Sequence, residues 1–409
     1  MTIHDAYFAQ LQAALLEEGE LRPRLIVDLD RLDHNIDQAV AFAARAGKAL
    51  RLVEKSLPSF ELLDYIARRA GTRRLMSFHQ PFLTLDAQNW PDADILLGKP
   101  MPVALVERFY QSLTGAFEPQ RQLQWLIDSP ERLEQYLGLA QRLGLRLNVN
   151  LELDVGLHRG GVPQGRAGAL MLSALLRRIA ECPQHLRFTG FMGYEPHVAM
   201  LPRLFGAPER LLAQAMATYQ ARVQQVLREA PALWAQAVAA DEQPPLTLNT
   251  AGSPTYRLHD QEHVSNELAL GSGLLKPTHF DLPSLAEHLP ALFIATPVLK
   301  TAGAFTLPGA GPLPALISRL AGRGKQALFI YGGNWLADPV SPVGLKASGL
   351  YGTSSNQQVL LAPADTALQV DELMFMRPTQ SEAVLLQFGD VLAVRAGRVV
   401  GRWPVFADA

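Results

Sequence analysis

"RLIVDLDRLDHNIDQAVAFAARAGKALRLVEKS", residues 24–56, decides how the rest of the chain is read. An apolar run, "RLIVDL", passes into a segment with helical spacing. That segment ends at Gly47, just before a second apolar run, "LRLVE". Strand, helix and strand in succession form the repeating unit of a parallel sheet with helices outside it. The second run stops on Lys55, which is followed by small and turn-forming residues. On position alone, a lysine there reads as a solvated strand end.

The same alternation continues to about residue 275. Further apolar runs are "RRLMSF", "DILLG", "LQWLID", "LRLNVNLEL", "LRFTGFMGY", "LTLNT" and "NELAL". Helical spacing fills most intervals, as in "SPERLEQYLGLAQRLG" and "ERLLAQAMATYQARVQQVLREA". The candidate strands number nine, one more than an eight-stranded ring needs. The first, ahead of the long first helix, is expected to lie outside the ring. The predicted fold class is therefore α/β, a (β/α)8 TIM-type barrel, with an open doubly wound sheet as the alternative.

Beyond "GSGLLKPTHFDLP" the helical periodicity fades. Short strands follow, broken by Gly, Pro, Asn and Asp, and "VRAGRVV" reads as a hairpin. The expected division is an N-terminal helical extension over 1–23, the barrel over 24–284 and a β-rich domain over 285–409. Within the extension, Tyr7, Leu11 and Leu15 recur at the spacing of an amphipathic helix.

Composition removes several function classes. A net charge of −2 without a Lys/Arg cluster gives no footprint for nucleic acid or an anionic membrane. No stretch approaches the roughly 20 apolar residues of a membrane span. The N-terminus lacks the basic and apolar regions of a signal peptide. Cys182 is the only cysteine, so neither an intramolecular disulfide nor a cysteine-based zinc site is expected. A reducing cytoplasm is the expected setting.

In a barrel of this kind, functional residues come from the C-terminal ends of the strands and the loops behind them. Those ends are Lys55, Phe78-His79, Gly98-Lys99, Asp128, "ELDVGLHRGG", "GYEPH", "NTAGSPT" and "ALGSG". The chain has 7 lysines against 30 arginines, which makes a strand-end lysine a rarer event here than usual. A lysine whose pKa is lowered by burial can form a Schiff base with a carbonyl compound. The last two strand segments end in Gly252-Ser253 and Gly271-Ser272-Gly273. Small residues let backbone N–H groups and hydroxyls converge on an anion, and barrels often hold a phosphate there, although most such loops are plain turns. A phosphate site together with a Schiff-base lysine suggests pyridoxal 5′-phosphate (PLP).

At this point the chain resembles the D-threonine aldolase and D-serine dehydratase group of PLP enzymes, which share the alanine racemase-like, type III fold. The resemblance rests on "PRLIVDLDRLDHNI", "LRLVEKS", "LELDVGLHRGGV", "GFMGYEPH", "NTAGSPT", "NELALGSG" and "GRVVGRWPVF", in that order over most of the chain. It implies a PLP-binding barrel, a C-terminal β-domain, a small amino-acid substrate and a homodimer. Lys55 would form the Schiff base and act as base at the substrate's α-carbon. Arg159 would sit by the PLP ring, and Tyr194 and His197 would line the ring and substrate. Gly252, Ser253, Gly271 and Ser272 would hold the phosphate. Each has a plainer alternative: Arg159 could pair with Glu152 or Asp154, Tyr194 could be a core aromatic, and His197 a satisfied loop histidine.

The pattern breaks in two places. Metal-dependent members carry a His-Cys-Asp-Pro-Thr or His-x-Cys type motif in the second domain, but the matching stretch here is "MFMRPTQSE". Phe375 is no ligand, the Met376 thioether suits soft ions, and Arg377 cannot coordinate a cation. No metal site is therefore expected. Arg377 becomes a candidate for an anionic group of the substrate, or else an exposed strand arginine. In the lysine strand, relatives usually read Arg-Pro-His-Ala-Lys-Thr-His-Lys where this chain has "RLVEKSLP". Both histidines are replaced, and Glu54 is expected to point to the face opposite Lys55.

Loss of a Lewis acid weakens metal-dependent aldol cleavage and dehydration and raises the share of racemisation. Racemisation needs a second acid/base, for which Tyr331 and Tyr351 are candidates; aldol chemistry could use His79 or His197 as base. The competing readings are a PLP-binding protein without turnover and a barrel hydrolase or sugar-phosphate enzyme.

Overall fold

Repeated strand–helix units close into the ring that their spacing predicts. In the computed structural model, the residues described are 3–239, 244–260, 263–304, 324–349 and 351–406, with isolated positions between 304 and 324. They form two units. One holds Asn35–Leu274 and Leu282–His288; the other holds Met1–His34, Leu275–Asp281 and Leu289–Ala407.

Strand β1 (Arg24–Asp28) stands outside the ring, as its place ahead of the first long helix implies. The barrel is built from β2 (Ala49–Val53), β3 (Arg74–Ser77), β4 (Asp94–Leu97) and β5 (Leu123–Ile127). It is completed by β6 (Leu147–Leu153), β7 (Leu186–Gly193), β8 (Thr247–Thr250) and β9 (Glu267–Leu270). Strand β9 returns to β2 in parallel register, with Leu52 opposite Leu270. That pairing closes the ring and removes the doubly wound alternative.

Local chemistry sets where the barrel helices begin and end. Ser59 accepts a hydrogen bond from the Leu62 N–H at the start of Phe60–Ala70, and Gly71 ends that helix at φ +63°. Ser129 and Gly144 play the same parts for Pro130–Leu143.

Inward-facing side chains near the strand starts form a buried polar layer. Arg51 donates to Glu267 at 2.6 and 3.0 Å and to Asp94 at 3.0 Å. Asn249 donates to Glu267 at 3.0 Å, and Gln124 to the Thr247 hydroxyl at 2.8 Å. This layer fills one end of the barrel interior and leaves the opposite strand ends to small residues and loops.

The other unit is β-rich. Its strands are β10 (Leu292–Ala304), β11 (Lys325–Tyr331), β12 (Ala337–Ser341) and β13 (Lys346–Ala347), then β14 (Gln357–Pro363), β15 (Leu373–Pro378), β16 (Asp390–Arg395) and β17 (Arg398–Pro404). Strand β1 pairs antiparallel with β10 and parallel with β16. The helix Ile3–Glu17 lays Leu11 and Leu15, as the helical spacing implies, into a core with Ile26, Phe293, Phe375 and Leu392; Phe8 joins them buried, and Tyr7 packs against the core only partly buried. The "VRAGRVV" hairpin forms between β16 and β17, with Ala396 and Gly397 both at positive φ in the turn. Among the described residues, no helix is long and apolar enough to cross a membrane.

Candidate active site

Strand β2 hands over to a single 3-10 turn, Glu54–Ser56, and Lys55 is its central residue. The Lys55 side chain is half-buried, with Nζ 5.0 Å from the centre of the Phe78 ring. Phe78 follows β3 and lies over Gly98 after β4, where any Cβ would collide with the ring.

The two small-residue loops converge on that turn. The N–H groups of Gly271 and Gly273 donate to Ser253 Oγ at 3.2 and 2.9 Å, which joins the loop after β9 to the loop after β8. Ser272 Oγ donates to Ser56 Oγ at 2.9 Å. A Cβ on Gly271 would lie 2.8 Å from Val53 Cβ and 2.9 Å from the Val53 carbonyl oxygen. Val53 lies two residues before Lys55 and Ser56 directly after it, so the lysine turn and the late loops form one shelf. Gly252 completes it: a Cβ there would enter the Tyr194 ring. A shelf of glycines, serine hydroxyls and backbone N–H groups is suited to an anion.

Tyr194 extends the site along its other side. The Arg159 guanidinium sits 5.2 Å from the centre of the Tyr194 ring, a cation–π distance. Arg159, Tyr194, Gly252, Ser253, Gly271, Ser272 and Lys55 thus lie on one connected set of loops. Behind them, the buried Glu195 accepts from the Ala251 N–H at 3.3 Å, from the Thr255 hydroxyl at 2.7 Å and from His259 Nε2 at 3.1 Å. It ties the end of β7 to the loop after β8, where Ala251 is held at φ +69°.

Charges in the loop after β6 are arranged around Asp154. Its carboxylate accepts from the Gly156 and His158 N–H groups at 3.0 and 2.9 Å and meets His158 Nδ1 at 2.9 Å. Burial alone would raise the Asp154 pKa, but these partners hold it below the usual range. Glu152 is pushed up to about 7 by burial, against the pull of Arg159. His197 packs against Gly156, where a Cβ would lie 3.1 Å from Nε2. Burial lowers the His197 pKa, with the Glu195 charge opposing, so the imidazole stays neutral to lower pH than usual. His79 is lowered by burial and by Lys99.

Other candidates lie in the second unit. Arg377 on β15 is buried, and its guanidinium is already held: it donates to the Lys276 carbonyl at 3.0 and 2.8 Å and to both Asp281 oxygens at 2.9 and 2.7 Å. Phe375 is a core residue whose ring centre lies 4.9 Å from that of Phe8, tilted by 40°. Tyr331 and Tyr351 are exposed. Among the described residues, no group of three or more His, Cys, Asp or Glu is placed to hold a metal ion.

Sequence reasoning missed Ser56 and Glu195, both inside stretches already singled out. Ser56 had a usable signal, a hydroxyl directly beside the candidate lysine. Glu195 had none, because its partners come from positions 251, 255 and 259 and meet it only in the folded barrel.

The architecture is shared with solved enzymes. D-threonine aldolase from Filomicrobium marinum superposes with a TM-score of 0.68 at 16% identity, covering 94% of this chain and 96% of that one. D-threo-3-hydroxyaspartate dehydratase from Delftia sp. HT23 gives 0.68 at 17% identity, covering 95% and 98%. Alanine racemase from Bacillus anthracis gives 0.65 at 14% identity, covering 94% and 98%. At such identities the likeness concerns the fold. No curated protein sequence matches the chain. Residues 27–278, more than half of its length, match the family described as alanine racemase, N-terminal domain, and the chain belongs to that family.

Proposed function

We propose that the protein is a PLP-dependent enzyme acting at the α- or β-carbon of a small amino acid, of D configuration or carrying a β-hydroxyl. The observation that carries this reading is the hydrogen bond from Ser272 to Ser56, which seats the anion-type shelf against the turn of Lys55. Family membership and the three enzymes named above, all acting on amino acids by their names, support it.

The residues fit the cofactor. The shelf carries hydroxyls and backbone N–H groups but no acidic side chain, and only glycine lets its backbone come so close to Tyr194 and Val53. Ser253, Ser272 and the N–H groups around them would hold the phosphate, Tyr194 would face the ring, and Arg159 would fix that tyrosine. PLP joined to Lys55 supplies an electron sink for negative charge at the substrate's α-carbon.

The chain's own groups supply positioning and proton transfer. Lys55 Nζ is the base for the α-proton. His197, kept neutral by burial, accepts a proton at the substrate's β-oxygen. Glu152, with a pKa near neutrality, holds a proton beside Arg159. We further propose that the chemistry runs without a divalent metal, because Phe375 is committed to an apolar core and Arg377 to Asp281. The same residues favour a second reading, an amino-acid racemase, which needs no Lewis acid.

Borohydride reduction of protein incubated with PLP, followed by peptide mass analysis, tests the core of this reading. Label on Lys55, absent from Lys55→Ala, is the expected result. A wild-type protein that takes up no PLP overturns it. With D- and L-β-hydroxy amino acids as substrates, the products separate aldol cleavage, elimination and racemisation. Activity abolished by a chelator would overturn the metal-independent part.

A further inference from the structure

The turn that carries Lys55 contains a second feature, which the proposed chemistry does not use. Glu54, directly before the lysine, is fully buried, and so is Asp86 on the helix Gln80–Asn89. The two carboxyl groups act on each other, and the Ser77 hydroxyl at the end of β3 lies beside Glu54. By hydrogen-bond geometry none of the four carboxyl oxygens has a donor, although Ser77 is close enough to favour the Glu54 charge. Among the described residues, no cationic side chain acts on either group.

Two ionised carboxylates cannot share such a place. Each unpaired buried charge carries a large desolvation penalty, and a like charge in contact adds to it. A proton retained between them resolves both problems, because the protonated oxygen becomes the missing donor. Burial raises Asp86 to about 8; burial and the Asp86 charge raise Glu54 well above the usual carboxylate range.

We propose that Glu54 and Asp86 are joined through a retained proton into an acid pair that latches the Lys55 turn onto the helix Gln80–Asn89. Both are positioning residues. Glu54 shares a single turn with Lys55, so forcing the carboxylates apart would shift the lysine. The pair itself is a property of the chain without cofactor; only its consequence for Lys55 rests on the proposed PLP chemistry.

The test compares the full-length, cofactor-stripped wild type with Glu54→Gln, whose amide can donate to Asp86 in place of the proton. Asp86→Asn is the second variant should the first fail to fold. In infrared difference spectra at neutral pH, a carboxylic-acid carbonyl band is expected in the wild type and weaker in the variant, where Glu152 still contributes. Wild-type melting temperature should fall as pH rises from the ordinary carboxylate range to about 8, and the variant should show a shallower slope, its remainder belonging to Glu152 and the still-buried Asp86. After loading with PLP, the absorbance of the wild type should change over the same pH interval, and that of Glu54→Gln should change less. A band no stronger in the wild type than in the variant, or a variant with the wild-type slope, overturns the acid pair. A cation retained stoichiometrically through desalting also overturns it, since that ion would replace the proton. If the band and slope are present but borohydride fixes no PLP on Lys55, the cofactor reading fails and the pair stands.

Discussion

Ser272 Oγ donates to Ser56 Oγ at 2.9 Å across a sequence separation of 216 residues. One serine follows the last barrel strand, and the other follows Lys55 in the turn after the first. Their contact is possible only because β9 pairs with β2, and it turns two ordinary small-residue segments into one anion-type shelf.

The shelf should tolerate little added volume. In Gly271→Ala, the new methyl would press on Val53, 2.8 Å from its Cβ and 2.9 Å from its carbonyl oxygen. PLP affinity is expected to fall at least about tenfold, on the scale of the packing penalties of overfilled sites. Ser253→Ala and Ser272→Ala each remove one hydroxyl, worth about 0.5–1.5 kcal/mol. Absorbance titration of apoprotein should therefore rank Gly271→Ala as the more damaging change.

Glu152 should report on Arg159. Its pKa stands at about 7 because burial outweighs the pull of the guanidinium. In Arg159→Leu that pull is gone, so the Glu152 pKa should rise above its wild-type value. Carbon-13 NMR titration of labelled glutamate carboxyls reads this directly. The sign for stability follows: a folded pKa above the unfolded one contributes stability fully present below about 4.5 and lost as pH rises through about 7.

Arg51 and Glu267 are both fully buried, and removing one partner strands the other charge. Arg51→Met is expected to cost about 3–5 kcal/mol of unfolding free energy. Denaturant titration by tryptophan fluorescence measures it. Burial opposes the Glu267 charge, but Arg51 and Arg74 hold its pKa below the usual range. The stability it contributes is thus present above the ordinary glutamate pKa and lost as pH falls through the lowered one.

Arg377 satisfies the carbonyls of Lys276 and Pro277 as well as Asp281. Arg377→Ala would leave buried acceptors unpaired, a loss of about 1–3 kcal/mol. Hydrogen exchange should speed up in Leu275–Asp281. Asp281→Asn should give a smaller effect in the same segment, since the carbonyl bonds remain. If turnover falls in Arg377→Ala without faster exchange, the arginine contacts substrate instead.

Much of the barrel was written in residue spacing. Short apolar runs and helical periodicity depend on neighbours along the chain, so the ring, the outlying first strand, the N-terminal helix and the final hairpin could all be read from "RLIVDLDRLDHNI" onward. Lys55 and the Gly-Ser loops were legible for the same reason: each sits at the end of a recognisable strand. The tertiary structure alone decided which of these ends meet. Ser56 reaches Ser272 through barrel closure, Glu195 gathers three partners from a later loop, and Arg377 finds Asp281 at a distance of 96 residues. Glu54 shows the limit most directly. Strand alternation assigns it a face, but a carboxyl's charge depends on what surrounds it, and Asp86 arrives from another helix. Periodicity is a local property of a chain; burial, pairing and protonation belong to the fold.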